Sequence, residues 1–146
     1  MTVVEPYLFF QGRCEEALNF YTQALGAKVT MLMRFDEAPE QPPPDVLPPG
    51  NGNKVMHASF TVGRTLIMAS DGCVGDEAAF KGISLSITVT EEAEARRYFN
   101  ALAVGGTVTM PLEKTFWSPC FGTVTDKFGV SWMIGVAAEA PPPQGS

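Results

Sequence analysis

The two halves of this 146-residue chain repeat one another. Phe20-Tyr21 recurs as Tyr98-Phe99, Ala24-Leu25 as Ala101-Leu102, and Lys28-Val29-Thr30 as Thr107-Val108-Thr109, at offsets of 78, 77 and 79. Further on, Thr61–Leu66 parallels Lys127–Trp132 at an offset of 66. A shortening of ~12 residues is the size of an insertion in the first half. That insertion is visible, because six of the twelve prolines lie between Pro39 and Pro49. Proline lacks a backbone donor and clashes inside helices, so residues 39–49 read as a long surface loop.

Around that loop, strand and helix patterns alternate. Val3–Phe10 is rich in β-branched and aromatic residues and reads as a strand, broken at Gln11-Gly12-Arg13. Cys14–Leu25 sets Cys14, Ala17, Leu18, Tyr21 and Leu25 on one helical face. Glu15 and Glu16 favour its first turn, and Gly26 stops it. Ala27–Phe35, Lys54–Val62 and Arg64–Ser70 read as three more strands, the last two joined at Gly63. In the second half Ile83, Leu85, Ile87 and Val89 alternate with Ser84, Ser86 and Thr88, a half-buried strand. Thr90 is placed to cap a helix whose stripe is Ala95, Tyr98, Phe99 and Leu102, ending at Gly105-Gly106. Thr107–Pro111, Cys120–Thr125 and Val130–Val136 complete the module. The expected fold is therefore α+β: one domain over 1–138, made of two βαβββ modules at about 1–72 and 80–138. Pairing the modules would bury strands that each alone leaves exposed. Residues 139–146, which include Pro141-Pro142-Pro143, read as a disordered tail.

Several functions are excluded by composition. Net charge is −6, from 16 acids against 10 bases, the wrong sign for tracking phosphates, so no nucleic-acid partner is expected. No apolar run approaches the roughly 20 residues that span a bilayer, and no membrane association is expected. The N-terminus lacks the basic and apolar regions of a secretory signal, which points to the cytoplasm. His57 is the single histidine, and Cys14, Cys73 and Cys120 are the three cysteines. A His-rich zinc site, a Cys₄ site and a disulfide framework cannot be assembled from that set. Each cysteine reads as a small buried hydrophobe.

A helix of the type Glu-Glu-Ala-Leu-Asn-Phe-Tyr, inside a tandem βαβββ repeat, resembles the vicinal-oxygen-chelate superfamily. Its members include glyoxalase I, extradiol dioxygenases, and fosfomycin- and bleomycin-resistance proteins. Pro6–Tyr21, Met68–Asp71, Thr115-Phe116-Trp117 and Val124–Ile134 are similar to the PhnB-like branch, and the resemblance covers about residues 3–137. It implies a curved mixed sheet with a concave cavity, in a glyoxalase/bleomycin-resistance-like fold, and a homodimer. PhnB-like proteins often carry the label of a 3-demethylubiquinone methyltransferase. A methyltransferase of the usual kind needs a doubly wound parallel sheet with a Gly-rich turn after its first strand. Gly50-Asn51-Gly52-Asn53 instead precedes an antiparallel strand.

Superfamily enzymes place His or Glu on the concave face, leaving open positions where a substrate's adjacent oxygens meet a metal. In this chain those positions fall near Pro6–Leu8, Ile67–Met68, Ser84 and Met133. None supplies the carboxylate or imidazole that a hard divalent cation wants, so no metal and no cofactor are expected. His57 is the candidate catalytic residue. It shares a strand face with Val55, Ser59 and Thr61; facing the cavity it could act as a general base, and the alternative is a hydrogen-bonded sheet histidine. The expected cavity lining is Tyr7, Phe9, His57, Met68, Ser84, Ser86, Trp117, Phe121 and Met133. Trp117 suits either a pocket lid or a dimer interface, Trp132 belongs to the core, and Asp126 makes a turn. Met31, Met33, Met56, Met68, Met110 and Met133 read as gap-filling core.

These readings favour a small-molecule-binding protein without the usual metal and with no assigned reaction. The alternatives are a metal-dependent lyase, isomerase or transferase using His57 with atypical ligands, and an interaction module docking through the proline loop.

Overall fold

The computed structural model describes residues 2–40, 50–72 and 79–138. Cys73, most of the proline-rich insertion and the 139–146 tail lie outside them. The chain separates into two compact units, Met1–Ala78 and Ala79–Ser146.

The first unit runs β1 (Tyr7–Phe9), α1 (Cys14–Leu25), β2 (Lys28–Arg34), β3 (Val55–Val62) and β4 (Thr65–Ser70). Its sheet has the order β1-β4-β3-β2, with β1 parallel to β4 and the other pairs antiparallel. α1 matches its expected span. Gly26 at φ 68 closes it in the left-handed conformation that glycine adopts cheaply, its N–H donating to the Thr22 carbonyl at 3.1 Å. Ala17, Leu18, Tyr21, Ala24 and Leu25 are buried on the helix, and Leu8, Ala58, Phe60, Ile67 and Ala69 are buried on the strands. The Tyr21 ring stacks on Phe60 at 5.9 Å, which makes the covered face of the sheet the one that carries Phe60.

One buried carboxylate staples this unit. Asp71, 1% exposed, accepts from the Gly12 and Cys14 N–H groups through Oδ1 (2.9 and 2.8 Å) and from Val55 N–H through Oδ2 (2.7 Å). It thereby ties the end of β4 to the start of α1 and the start of β3. The turn into α1 needs such a tie, since Gln11 sits at φ 52 and the α1 N-terminus has no side-chain cap.

The second unit repeats the order: β5 (Ser84–Val89), α2 (Glu92–Ala103), β6 (Thr107–Glu113), β7 (Phe121–Thr125) and β8 (Ser131–Val136). Its sheet is β5-β8-β7-β6, with β5 parallel to β8. Ala95, Phe99 and Leu102 of α2 are buried, as are Val124, Trp132, Ile134 and Val136 of the strands. Gly122 lets the helix approach, because a Cβ there would lie 2.9 Å from the Phe99 ring. Asp126 makes the expected turn, accepting from Phe128 and Val130 N–H, and its Oδ2 also accepts from Trp132 Nε1 at 2.8 Å. Trp132 is core, as its alternation requires.

The α+β architecture of two βαβββ modules is as expected, while details differ. β1 covers only Tyr7–Phe9 of the Val3–Phe10 run. Thr90 is not the cap: Glu91 holds that position with extended backbone and no side-chain cap bond. Ile83 precedes β5 and is exposed rather than packed under α2. The two helices correspond at an offset of 78 throughout, so Ala24 matches Leu102 rather than Ala101. The methionines are not core: Met31 and Met110 are exposed, and Met33, Met56, Met68 and Met133 are half-buried.

Asp71→Asn retains one acceptor oxygen and turns an NH₂ toward a backbone donor. Urea denaturation should show a loss of about 1–3 kcal/mol, the cost of leaving a buried polar group unpaired. An unchanged midpoint would contradict the stapling role.

Candidate functional site

Because strand side chains alternate, every residue out of phase with the helix-covered set lies on the opposite, open face of its sheet. In the first unit this settles the position of His57. Its neighbours Ala58 and Phe60 are buried on the face that packs on Tyr21, so His57, Ser59 and Thr61 point away. Tyr7, Phe9 and Met68 share that open face, since Leu8, Ile67 and Ala69 between them are buried. Tyr7 stacks on Phe9 at 4.9 Å, and its hydroxyl is 2.9 Å from His57 Nδ1. Four of the expected lining residues are thus brought together here.

The open face of the second unit carries the others. Ser86, Thr88, Trp117, Phe121, Met133 and Gly135, with Ser118 and residues 136–138, line an open hollow of about 350 Å³. Trp117, 47% exposed, meets Phe121 edge-to-face at 5.3 Å. Ser118 is buried below: its hydroxyl accepts from the Cys120 N–H at 3.2 Å and directs its one proton to the Val136 carbonyl at 2.7 Å or the Cys120 carbonyl at 2.9 Å, fixing the strand ends that carry the rim. Ser84 is not part of the hollow. It pairs with Ser131 across β5 and β8, Oγ to Oγ at 2.8 Å.

Strand register shows that the two groups occupy equivalent positions. Tyr7 pairs with Met68 and Met68 with Ser59; likewise Ser86 pairs with Met133 and Met133 with Thr123. One step along, Phe9 pairs with Ser70, and Thr88 and Phe121 both pair with Gly135. His57, two residues before Ser59, therefore corresponds to Phe121, and Tyr7 to Ser86. Ser84 was the expected counterpart of the first-strand position, and the pairing moves it two residues on. The 66-residue parallel of Thr61–Leu66 with Lys127–Trp132 is also one residue out on the last strand. Ile67, not Leu66, matches Trp132, since both are buried beside a half-buried methionine. A one-residue slip of this kind exchanges the two faces of a strand.

The same register explains the hollow. The Tyr7 ring lies over the first sheet, whereas Ser86 has no ring to place there, leaving the second sheet uncovered. Gly135 contributes too. A Cβ at that point would come within 3.2 Å of the Phe121 ring, so glycine lets the ring lie close to the sheet. The sequence reading missed Gly135, although a glycine inside a strand pattern is a signal of close approach.

The donors at the positions where the resemblance implies metal ligands are now defined: a phenol at Tyr7, thioethers at Met68 and Met133, and a hydroxyl at Ser86. Such a set does not fit a hard divalent cation. Among the described residues no three of His, Cys, Asp and Glu come together as metal ligands. The two described thiols, Cys14 and Cys120, are buried and held in the protonated form. Burial, reinforced by the Asp71 and Glu15 carboxylates, pushes Cys14 up to about 12, and burial also raises Cys120. Gly50–Asn53 leads into antiparallel β3 rather than from a strand into a helix, so it does not make the Gly-rich cradle of a nucleotide cofactor. Among the described residues no helix is long and apolar enough to cross a membrane.

A family model described as 3-demethylubiquinone-9 3-methyltransferase matches residues 2–135. The chain is 35% identical over 143 residues to Protein YjdN of Escherichia coli, covering 94% of this chain and 97% of that protein. Among solved structures, protein PA1353 from Pseudomonas aeruginosa is similar at 41% identity and TM-score 0.82, over 95% of this chain and all of that one. A structure from Bacillus cereus, titled as a putative 3-demethylubiquinone-9 3-methyltransferase and PhnB protein, is similar at 33% identity and TM-score 0.77, over 93% of this chain and all of that one. In fold alone, a glyoxalase-related enzyme from Fulvimarina pelagi is similar at TM-score 0.63 and 19% identity, over 100% of this chain and 96% of that one.

The two tryptophans should report separately. Acrylamide should quench the Trp117 component of the emission and leave the Trp132 component, whose indole is 2% exposed and bonded to Asp126, almost untouched. A single, uniformly quenched population would contradict this placement.

Proposed function

Given that the chain belongs to the family described as 3-demethylubiquinone-9 3-methyltransferase, as a PhnB-like protein on a glyoxalase-like fold, we propose that it binds a small, flat, mainly apolar organic molecule in the hollow of its second unit, without a firmly held metal. The observation that carries this reading is the space left over the sheet by Ser86, walled by Trp117, Phe121 and Met133. Aromatic rings at an edge-to-face angle offer a flat ligand one face and one edge, and a thioether adapts to its outline. Ser86 and Thr88 place hydroxyls on the floor, which would orient a ligand carrying one or two polar substituents. Among the described residues no charged side chain lines the hollow. A charged ligand would lose hydration without gaining a counter-charge, so the ligand is uncharged.

Methyl transfer, which the family description names, is not part of this reading. It requires a methyl donor, and Gly50–Asn53 offers no cradle for a nucleotide-type donor. Association of two copies of the chain is part of it. Val29 and Met31 on edge strand β2 of the first unit, and Val108 and Met110 on edge strand β6 of the second, are 40–46% exposed, giving each unit an apolar edge suited to self-association.

Thermal melts with 2-naphthol, menadione and coumarin test the binding. A ligand specific for the folded state at a hundred times its Kd adds about 2.7 kcal/mol, a readily measured rise in Tm. The rise should vanish in Ser86→Tyr, which fills the hollow as Tyr7 covers the first sheet. No rise with any of the three, or a rise that persists in Ser86→Tyr, would overturn the reading.

A further inference from the structure

The open face of the first unit carries polar chemistry that its counterpart lacks. Tyr7 and His57 meet at 2.9 Å, whereas the equivalent positions of the second unit hold Ser86 and Phe121. Each unit forms its own sheet of the same strand order, so the fold itself does not demand the pair. Nor is His57 a sheet histidine whose ring is consumed by packing, because it points away from the helix-covered face. Its Nδ1 meets Tyr7, and among the described residues no protein group pairs with its Nε2. We propose that the Tyr7–His57 pair is a proton-transfer site for uncharged carbonyl compounds bearing an acidic α-hydrogen. This site is independent of the binding proposed for the second unit.

The pairing of a hydrogen-bond donor with a base explains the substrate class. When the imidazole proton is on Nδ1 and is donated to the Tyr7 oxygen, two functions remain unspent. The phenol O–H is free to donate, and the Nε2 lone pair is free to accept. A carbonyl compound matches both. Its oxygen receives the Tyr7 O–H, and a C–H beside the carbonyl meets Nε2. Breaking that C–H bond sends the proton to Nε2 and its electron pair into the C=C bond of an enolate, whose oxygen strengthens the bond from Tyr7 as charge develops there. The imidazolium then returns the proton to the same carbon, giving exchange, or to a conjugated carbon, giving isomerisation. Atoms and charge balance without another reactant. Phe9, stacked on Tyr7, and Met68, between the strands of the pair, keep the surroundings apolar, where a hydrogen bond to a growing charge counts for more. Among the described residues Phe9 and Met68 bring no charge to the pair, which favours an uncharged substrate.

The test uses the full chain in D₂O at neutral pH with cyclohexanone and 1-indanone, following loss of the α-proton signal by proton NMR. The wild type should exchange at least about a hundredfold faster than buffer, the lower end of general-base effects. His57→Gln should fall to the buffer rate and Tyr7→Phe should lose about tenfold or more, each with a native far-UV spectrum. A wild-type rate equal to buffer for both ketones, or a rate retained in His57→Gln, would overturn the proposal. A measurement on the unmodified protein covers the case in which the variants do not fold: long-range proton–nitrogen correlation of neutral His57. The proposal requires the proton on Nδ1, and finding it on Nε2 would overturn it.

Discussion

Each sheet has one face pressed against a helix, and that contact decides where every other strand side chain points. Tyr21 on Phe60 in the first unit, and Phe99 closing on Gly122 in the second, commit Leu8, Ala58, Ile67 and Ala69, or Trp132, Ile134 and Val136, to the covered side. With a strand period of two, their neighbours have no choice but the other face. His57 and Met133 reach their positions as a consequence of burial elsewhere. The buried carboxylates reinforce this at the ends, Asp71 holding a strand-to-helix turn and Asp126 a hairpin.

Repetition then gives each unit the same set of positions to fill. In the first they hold Tyr7, Phe9, Met68, Ser70 and His57; in the second, Ser86, Thr88, Met133, Gly135 and Phe121. Two aromatic rings and His57 cover the first sheet, while smaller residues at three of the five positions, Ser86 for Tyr7, Thr88 for Phe9 and Gly135 for Ser70, open the second. One plan therefore supports a hydrogen-bonded acid–base pair in one unit and a hollow walled by aromatic rings in the other. The donors at the positions where related folds would place metal ligands are a phenol, a hydroxyl and two thioethers, a poor match for a hard divalent cation.

Much of the fold could be read from particular residues. Glu15, Glu16 and Gly26 bounded α1, because dipole and left-handed closure are local effects. Alternation along Ser84–Val89 and Ser131–Val136 separated the serines from the core, and put Trp132 inside. Register was harder, since it depends on partners distant in sequence. Ser84 stood in for Ser86 as the counterpart of Tyr7, and the last strands align one residue away, because the hairpin around Asp126 is one residue longer than that at Gly63 and the repeat offset changes from 64 to 65 across it. The face of His57 was undecidable from its own strand, where both faces contain apolar residues. Exposure of Met31 and Met110 went unrecognised for a related reason: they lie on edge strands, and edge position is a property of the assembled sheet. Thr90 is a good capping residue by type, yet the helix starts one residue further on.

Most directly at stake is the claim that equivalent positions are open in one unit and covered in the other. Methionine methyl NMR during a titration with 2-naphthol separates them, because Met68 and Met133 occupy the same place in the repeat. Met133 should shift progressively to saturation while Met68 stays in place. Equal shifts at both, or a shift at Met68 alone, would contradict it.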